Sequence, residues 1–321
     1  MLDILKVTFP FFALVLCGYV AARRGLLPLL AIPGLNTFVL FFALPCMLYR
    51  FGASVPIAQL LDPAAVVVYL LCALVMVGVT VKFSMNERIH WNDAAFGALV
   101  AAFPNTGFMG VPLLIALLGA AASGPAILTI LVDLVITSSL CIALSRLDSA
   151  DEHGASEAAK KALQGVAMNP MPWAIVLGGA SSALQLQPWK PIAQTIGLLA
   201  DAASPVALFT IGAVLARSQI VAAAEEHGAM PLRDYLPVSL AKLVLHPLLV
   251  WGAGSAAIAA GVPLQRDSLV VMTLVAALPS ASNVSLLAER FGADDGRIAR
   301  IILLTTAAAF LSFSGAVALL R

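Results

Sequence analysis

Long stretches without a charged residue dominate this chain, and short polar segments between them carry nearly all the charges. A helix that crosses a bilayer needs about 20 mostly apolar residues. The uncharged stretch from Ala94 is too long for one such helix, and it divides at the segment "GAAASGP". The pattern therefore predicts ten membrane-spanning helices, at about 4–22, 30–49, 64–82, 94–118, 125–145, 171–187, 193–216, 235–260, 268–288 and 298–320.

Two of these spans carry a proline with polar neighbours near the middle. The fourth contains "AAFPNTGFMG" and the ninth contains "AALPSASNVS". Proline removes a backbone donor and clashes with the preceding turn, so a break is predicted at each position. Freed backbone groups at membrane depth are tolerated only where they line a cavity or meet buried partners. Where each helix restarts, unpaired N–H groups form a positive dipole end.

The breaks supply the candidate substrate-binding residues. These are Pro104, Asn105, Thr106, Gly107, Pro279, Ser280, Ser282 and Asn283. The two asparagines add donors and acceptors, so two breaks that meet at mid-membrane would form a polar pocket suited to a carboxylate. For either span alone, a proline kink whose hydrogen bonds are mended by its neighbours is the alternative.

The polar connection at 146–170 divides the spans five and five, and an odd number places the two halves in opposite orientations. The second spans of the halves also match, as "FALPCMLYRFG" at 42–52 and "AASPVALFTIG" at 202–212. Matched breaks in two halves are typical of an inverted-repeat transporter. We predict a first repeat at 1–145, a connector at 146–170 and a second repeat at 171–321.

The positive charges of the loops predict the orientation, because cytoplasmic loops are enriched in Lys and Arg. One set of loops carries twelve Lys and Arg residues, and the opposite set, with the termini, carries five. The richer side is predicted to be cytoplasmic, with both termini outside and the connector 146–170 inside, in the cell (inner) membrane. Asp3 and Lys6 before the first span, and Arg23-Arg24 after it, favour a retained helix over a cleaved signal peptide.

Composition excludes several classes of protein. The chain is 61% apolar and 11% charged, which leaves little sequence for a soluble domain or a nucleic-acid-binding surface. It has no nucleotide-binding glycine loop and no H-E-x-x-H, and its four cysteines form no C-x-x-C pair, so no metal or cofactor is predicted. An intramembrane enzyme would need a nucleophile–base pair or paired carboxylates, and a channel or receptor is a further alternative.

Three ionisable residues lie inside predicted spans, where a charge is costly and a function is the first hypothesis. Asp133 is predicted to carry a proton or to pair with Lys242. Lys242 and His246 lie four residues apart on one helix face. Lys242 could instead extend to the interface, and His246 could bond a carbonyl freed by Pro247. These groups favour H⁺ over Na⁺ as a coupling ion, although hydroxyls and carbonyls could hold Na⁺.

Four segments resemble the auxin efflux carrier family. "FPNTGFMGVPLL" and "LPSASNVSLLAERFG" are similar to its two crossover segments, "GLNTFVLFFALPCMLYRFG" to its second helix, and "KLVLHPLLVWGAG" to its eighth. The resemblance covers essentially the whole chain. Bacterial members of the family are described as carriers of malonate or other small organic acids.

The resemblance implies an all-α integral membrane fold with two inverted five-helix repeats, similar to that of bile-acid and sodium/proton transporters. Helices 1, 2, 6 and 7 would form a scaffold, and helices 3–5 and 8–10 a mobile transport domain. Helices 4 and 9 would cross at their breaks, where the substrate binds. The matching positions are Pro104, Asn105, Thr106, Pro279 and Asn283.

The sequence departs from the family in places that bear on the substrate. The third span lacks the acidic residue of the plant carriers, and Gly107 stands where they have an aromatic residue. The connector is short, and the second break lacks the acidic residue of the bile-acid carriers. Auxin is therefore not the expected substrate. We expect a secondary carrier of small organic anions with elevator-type alternating access, which could form a homodimer. An ion-coupled carrier of another amphipathic anion is a further alternative, beside the intramembrane enzyme and the channel or receptor.

Overall fold

Helices account for nearly all of the regular structure in the residues that the computed structural model describes, which are 2–54, 62–145, 160, 164, 167–168, 170–224 and 230–320. Most of the predicted connector 146–170 lies outside these residues. The helices are α1 Leu2–Arg23, α2 Leu29–Ser54, α3 Pro63–Ser84, α4 Trp91–Ala102, α5 Thr106–Leu118, α6 Ala120–Leu144, α7 Pro170–Ala183, α8 Lys190–Ala224, α9 Leu236–Ala259, α10 Arg266–Ala276, α11 Asn283–Arg290 and α12 Asp295–Leu320.

Seven helices in the described part of the chain are long and apolar enough to cross a membrane. They are α1, α2, α3, α6, α8, α9 and α12. Their outer faces carry large apolar side chains, including Phe9, Leu16, Phe41, Leu71, Leu198 and Leu311, that are exposed. A lipid environment removes the cost of such a surface. The predicted all-α integral membrane class is confirmed, whereas ten spans and an inverted repeat stay predictions.

Proline explains most of the irregular turns inside the long helices. Three π-helical segments, Val39–Ala43, Thr106–Gly110 and Ala241–Leu245, each end two residues before a proline. A proline lacks the N–H that would reach the carbonyl four residues earlier, and its ring clashes with that carbonyl. In each case that carbonyl belongs to the middle of the π segment. A fourth π segment, Val132–Thr137, has no such proline and contains Asp133.

One compact unit comprises residues 1–62, 106–128 and 169–226. Its α1 and α8 approach so closely that each places a glycine against the backbone of the other. A Cβ added to Gly18 would lie 1.8 Å from the Phe209 carbonyl oxygen, and one added to Gly212 would lie 1.8 Å from that of Val15. Small residues that allow such approach are the usual basis of helix association in membranes, because no hydrophobic effect operates between lipid-bathed helices.

The second helix pair in this unit, α2 with α7, is packed in the same way. A Cβ added to Gly178 would lie 2.4 Å from the Tyr49 carbonyl oxygen, and one added to Gly52 would lie 3.0 Å from that of Ile175. The Tyr49 hydroxyl also lies 3.1 Å from the Ser181 hydroxyl. Glycine therefore sets the spacing of both helix pairs.

The other compact unit comprises residues 63–105, 129–168 and 227–321. A guanidinium that is almost fully buried, that of Arg297, links three of its segments. Its Nε donates to the Asp234 carbonyl at 2.7 Å and its Nη1 to the Asp93 carbonyl at 2.9 Å. A Cβ at Gly97 would lie 2.8 Å from Nη1, so the glycine leaves room for the guanidinium. Arg297 is one of the twelve Lys and Arg residues that the sequence pattern assigns to the predicted cytoplasmic loops, but it lies in the first turn of α12 and is 2% exposed.

We predict that Gly212→Ala destabilises the protein. The added methyl group would overlap the Val15 carbonyl and the Tyr19 amide, and overpacking of this kind costs about 1–3 kcal/mol. Gly197→Ala on the same helix is the matched control, because nothing lies within 4 Å of its Cβ position and alanine is the better helix former. The melting temperature in detergent should therefore fall for Gly212→Ala and should rise or stay unchanged for Gly197→Ala. Equal or higher melting temperatures for both variants would contradict the close packing.

Candidate functional site

The two predicted breaks are paired with each other through their backbones. The first lies between α4, which ends at Ala102, and α5; the second lies between α10, which ends at Ala276, and α11. Pro104 and Ser280 form an isolated antiparallel bridge. Asn105 N–H donates to the Pro279 carbonyl at 2.8 Å, and Ala281 N–H donates to the Phe103 carbonyl at 2.9 Å. Each break thus supplies backbone partners for the other.

The structure brings four of the eight candidate binding residues into this pairing. They are Pro104, Asn105, Pro279 and Ser280. Ser282 and Asn283 follow directly, and Asn283 is the first residue of α11. Thr106 and Gly107 begin α5, which belongs to the other compact unit. Within that unit, the nearest side chain to the Cβ position of Gly107 is Leu44, at 3.7 Å.

Three polar side chains at the paired breaks have no hydrogen-bond partner among the described residues. Asn105 is 3% exposed, and its side-chain amide forms no hydrogen bond with the described residues. The side-chain amide of the half-buried Asn283 forms none with them either. The fully buried Ser280 hydroxyl is also without a partner. A buried polar group is normally hydrogen-bonded, so these side chains are suited to receive a polar ligand.

A buried lysine contacts the end of the helix that leads into the second break. Lys242 Nζ donates to the Ala276 carbonyl at 2.7 Å and lies 3.1 Å from His246 Nδ1. Both side chains are fully buried. A cation at a helix C-terminus is stabilised by the helix dipole and by the free carbonyls there. Lys242 therefore caps α10.

Asp133 is linked to the same cluster of buried polar side chains through Tyr69. Its carboxylate accepts hydrogen bonds from the hydroxyl groups of Tyr69 at 2.9 Å and of Thr137 at 3.2 Å. The Tyr69 ring lies 6.2 Å from the His246 ring, measured between centroids. Asp133 and Lys242 form no ion pair within 4 Å among the described residues. Both charged residues lie on π segments, which are often found at functional sites.

These contacts bear on the structural alternatives that the sequence left open for Lys242 and His246. Lys242 does not extend to an interface, because it is fully buried and bonded to Ala276. His246 faces Lys242 through Nδ1, and its Nε2 has no partner among the described residues, so it does not bond a carbonyl freed by Pro247. The hydrogen-bond partners of the Asp133 carboxyl group are the hydroxyl groups of Tyr69 and Thr137 and not Lys242.

Two residues of this region went unnoticed in the sequence. Tyr69 had a usable signal, since it places a phenol hydroxyl inside the apolar third span. Thr305, whose hydroxyl oxygen accepts a hydrogen bond from the Ser280 N–H at 3.3 Å, had none, because a threonine within a long apolar helix commonly bonds its own backbone. No group of three or more His, Cys, Asp or Glu side chains in the described part of the chain is arranged to hold a metal ion.

A comparison with protein families places these features in context. The model of the family described as "Membrane transport protein" matches residues 3–317. The chain belongs to this family. The resemblance to the auxin efflux carriers is thereby confirmed, and the family and its relatives indicate a transporter and not an enzyme.

Individual relatives of this membrane transport protein agree with the family match. The chain is 28% identical over 331 residues to the "Putative malonate transporter" of Rhizobium meliloti (strain 1021), covering 100% of this chain and 97% of the relative. It is 29% identical over 291 residues to the "Uncharacterized transporter YfdV" of Escherichia coli (strain K12), covering 88% of this chain and 86% of the relative. The similarity extends over nearly the full length of each protein.

Proposed function

We propose that this membrane transport protein is a secondary active carrier of small organic anions, mono- or dicarboxylates such as malonate. The observation that carries the proposal is the pairing of the two helix breaks, which gathers Asn105 and Ser280 at one place with Asn283 directly after it. A relative named as a malonate transporter supports the choice of substrate class.

The chemistry of the paired breaks suits a carboxylate. The side-chain amides of Asn105 and Asn283 and the hydroxyl of Ser280 can each donate a hydrogen bond to an anionic oxygen. Asn283 also begins α11, whose first N–H groups carry the positive end of a helix dipole. Such donors bind an anion without placing a full positive charge in the membrane. Thr106 and Gly107 at the start of α5 remain candidate substrate contacts from the sequence.

The glycine contacts support the inverted repeat that we propose. Gly178 follows Gly18, and Gly212 follows Gly52, at the same interval along the chain. Gly18 and Gly212 join α1 to α8, and Gly178 and Gly52 join α7 to α2. In the proposed repeat α7 is the counterpart of α1 and α8 is the counterpart of α2, so the two helix pairs correspond to each other. We infer two five-helix repeats, with ten spans in total.

The composition of the compact units supports a scaffold and a transport domain. One unit contains α1, α2, α7 and α8, the proposed scaffold; the other contains α3, α4 and α9–α12, most of the proposed transport domain. Residues 106–128 comprise the end of the fourth predicted span and the start of the fifth, and they belong to the unit that contains the scaffold helices. Each of these two spans is therefore divided between the units. We propose elevator-type alternating access, in a cell (inner) membrane, with both termini outside and the connector 146–170 in the cytoplasm.

Proton coupling is the part of the proposal that involves Asp133. It is a fully buried carboxylate, and its neighbours Tyr69 and Thr137 donate hydroxyl groups to it. A buried intramembrane carboxyl is costly to retain and commonly belongs to an ion or proton pathway. The second break carries no carboxylate that could serve as a Na⁺ ligand. We propose H⁺ as the coupling ion, with Asp133 as the group that loads and releases it.

The substrate site is tested by Asn105→Ala and Asn283→Ala. A hydrogen bond to a charged group contributes about 1.5–3 kcal/mol, so each change should raise the Kd for the bound carboxylate about tenfold or more. Isothermal titration of the purified variants in detergent, with malonate and a monocarboxylate as probes, gives this value.

Gln265→Ala is the matched control, because this amide is exposed and makes no cap hydrogen bond to α10. It should bind as the wild type does. Each variant should also elute as a folded protein. Wild-type affinity in either asparagine variant would remove that residue from the site.

The coupling role is tested by Asp133→Asn. The amide cannot carry the proton, so accumulation of substrate driven by a pH gradient in proteoliposomes should be lost. Exchange of labelled for unlabelled substrate needs no net proton movement and should survive, with substrate affinity retained.

Asp267→Asn, an exposed carboxylate in the first turn of α10, serves as the control and should leave gradient-driven uptake unchanged. Intact pH-driven accumulation in Asp133→Asn would exclude this residue as the proton carrier. Wild-type uptake that requires Na⁺ and ignores pH would exclude proton coupling altogether.

A further inference from the structure

The second break opens one identifiable helical hydrogen bond. In an unbroken helix, the N–H of Ser280 would donate to the carbonyl of Ala276, four residues earlier. Here α10 ends at Ala276, and the two groups have other partners. The Ala276 carbonyl accepts from Lys242 Nζ at 2.7 Å, and Ser280 N–H donates to Thr305 Oγ1 at 3.3 Å. Two side chains from two different helices thus replace the two halves of the missing bond.

Thr305 is prepared for this role by its own helix. Its hydroxyl donates to the Ile301 carbonyl at 2.8 Å, one turn earlier in α12. Because the hydroxyl proton is already used, the oxygen is left as an acceptor toward Ser280. Both residues are fully buried, so water is not a substitute partner. A buried N–H without an acceptor would be costly.

Lys242 is prepared in a similar way. Its ammonium is fully buried and lies on the π segment of α9, with His246 as its second neighbour. The negative end of the α10 dipole stabilises the positive charge, and the charge-assisted hydrogen bond is stronger than a neutral one. A lysine held in this geometry occupies the carbonyl that the Ser280 N–H would use in a continuous helix, and it therefore opposes continuation of α10 through Ser280.

We propose that Lys242 and Thr305 are positioning residues that hold the second break in its extended form, so that Pro279 and Ser280 pair with the first break. Neither side chain needs to touch the substrate. Loss of either one should free one end of the opened hydrogen bond and loosen the backbone from Ala277 to Ala281. The effect on substrate affinity rests on the proposed function, whereas the effect on the backbone does not.

Amide hydrogen–deuterium exchange in nanodiscs tests the backbone effect, with mass spectrometry of peptides that contain Ser280. Thr305→Val keeps the shape of the side chain and removes the acceptor, so the Ser280 amide should exchange at least about tenfold faster. Thr305→Ser retains the hydroxyl and should restore protection. Thr273→Val is the matched control, because the Thr273 hydroxyl bonds the Leu269 carbonyl of its own helix and no other group among the described residues. Ser280 in this variant should exchange as it does in the wild type.

Lys242→Met tests the other end of the opened hydrogen bond, the Ala276 carbonyl, because methionine has a similar length but lacks the charge and the donor. This variant should also speed amide exchange across the second break. Unchanged Ser280 exchange in Thr305→Val, or equal loss of protection in Thr305→Ser, would overturn the proposal, even if Lys242→Met fails to fold.

Titration with malonate separates this inference from the proposed function. Weaker malonate binding in Thr305→Val and Lys242→Met, with recovery in Thr305→Ser, is the expected result. If wild-type protein binds no malonate or monocarboxylate but the exchange pattern shifts as described, the positioning role stands and the proposed function fails. If malonate affinity is unchanged in variants whose break has loosened, the two residues do not position a binding site.

Discussion

An unpaired backbone N–H or C=O costs several kcal/mol in lipid, and two interrupted helices expose such groups in one protein. The structure meets this constraint by pairing the breaks with each other. Phe103 and Pro279 supply carbonyls, and Asn105 and Ala281 supply N–H groups, across a short antiparallel bridge. Two further groups at the second break, the Ala276 carbonyl and the Ser280 N–H, bond to Lys242 and Thr305. The side chains of Asn105 and Ser280 have no partner among the described residues, so they are available to a polar ligand.

The buried charges follow from the same constraint. A lysine inside a membrane protein is unfavourable by itself, but the end of α10 presents a free carbonyl and the negative end of a dipole. Asp133 accepts hydrogen bonds from two hydroxyl groups. Lys242 and Asp133 are therefore each retained with local partners.

Local patterns were sufficient to predict the long helices, the two breaks and the proximity of Lys242 to His246. Each of these depends on residues that are near one another in sequence: an uncharged run, a proline, or a spacing of four. The contact of Tyr69 with Asp133 joins residues 64 apart and depends on how helices pack, which no local pattern specifies. Arg297 shows the same limit, since a charge at a helix start indicates a solvated end until the packing around it is known. The proline positions account for three of the four π segments once the structure is known. They could not predict these segments, because a proline in a membrane helix can also produce a simple kink.

We propose that the paired breaks bind the substrate of a carrier of small organic anions. Counterflow in proteoliposomes is the test of this proposal, with a panel of mono- and dicarboxylates that includes malonate. Vesicles loaded with an unlabelled substrate should transiently accumulate the labelled one from a dilute external solution, and the initial rate should saturate with concentration. Counterflow requires a binding site that is exposed to one side at a time. Flux that rises linearly with concentration without counterflow, or no flux of any carboxylate in the panel, would contradict the account.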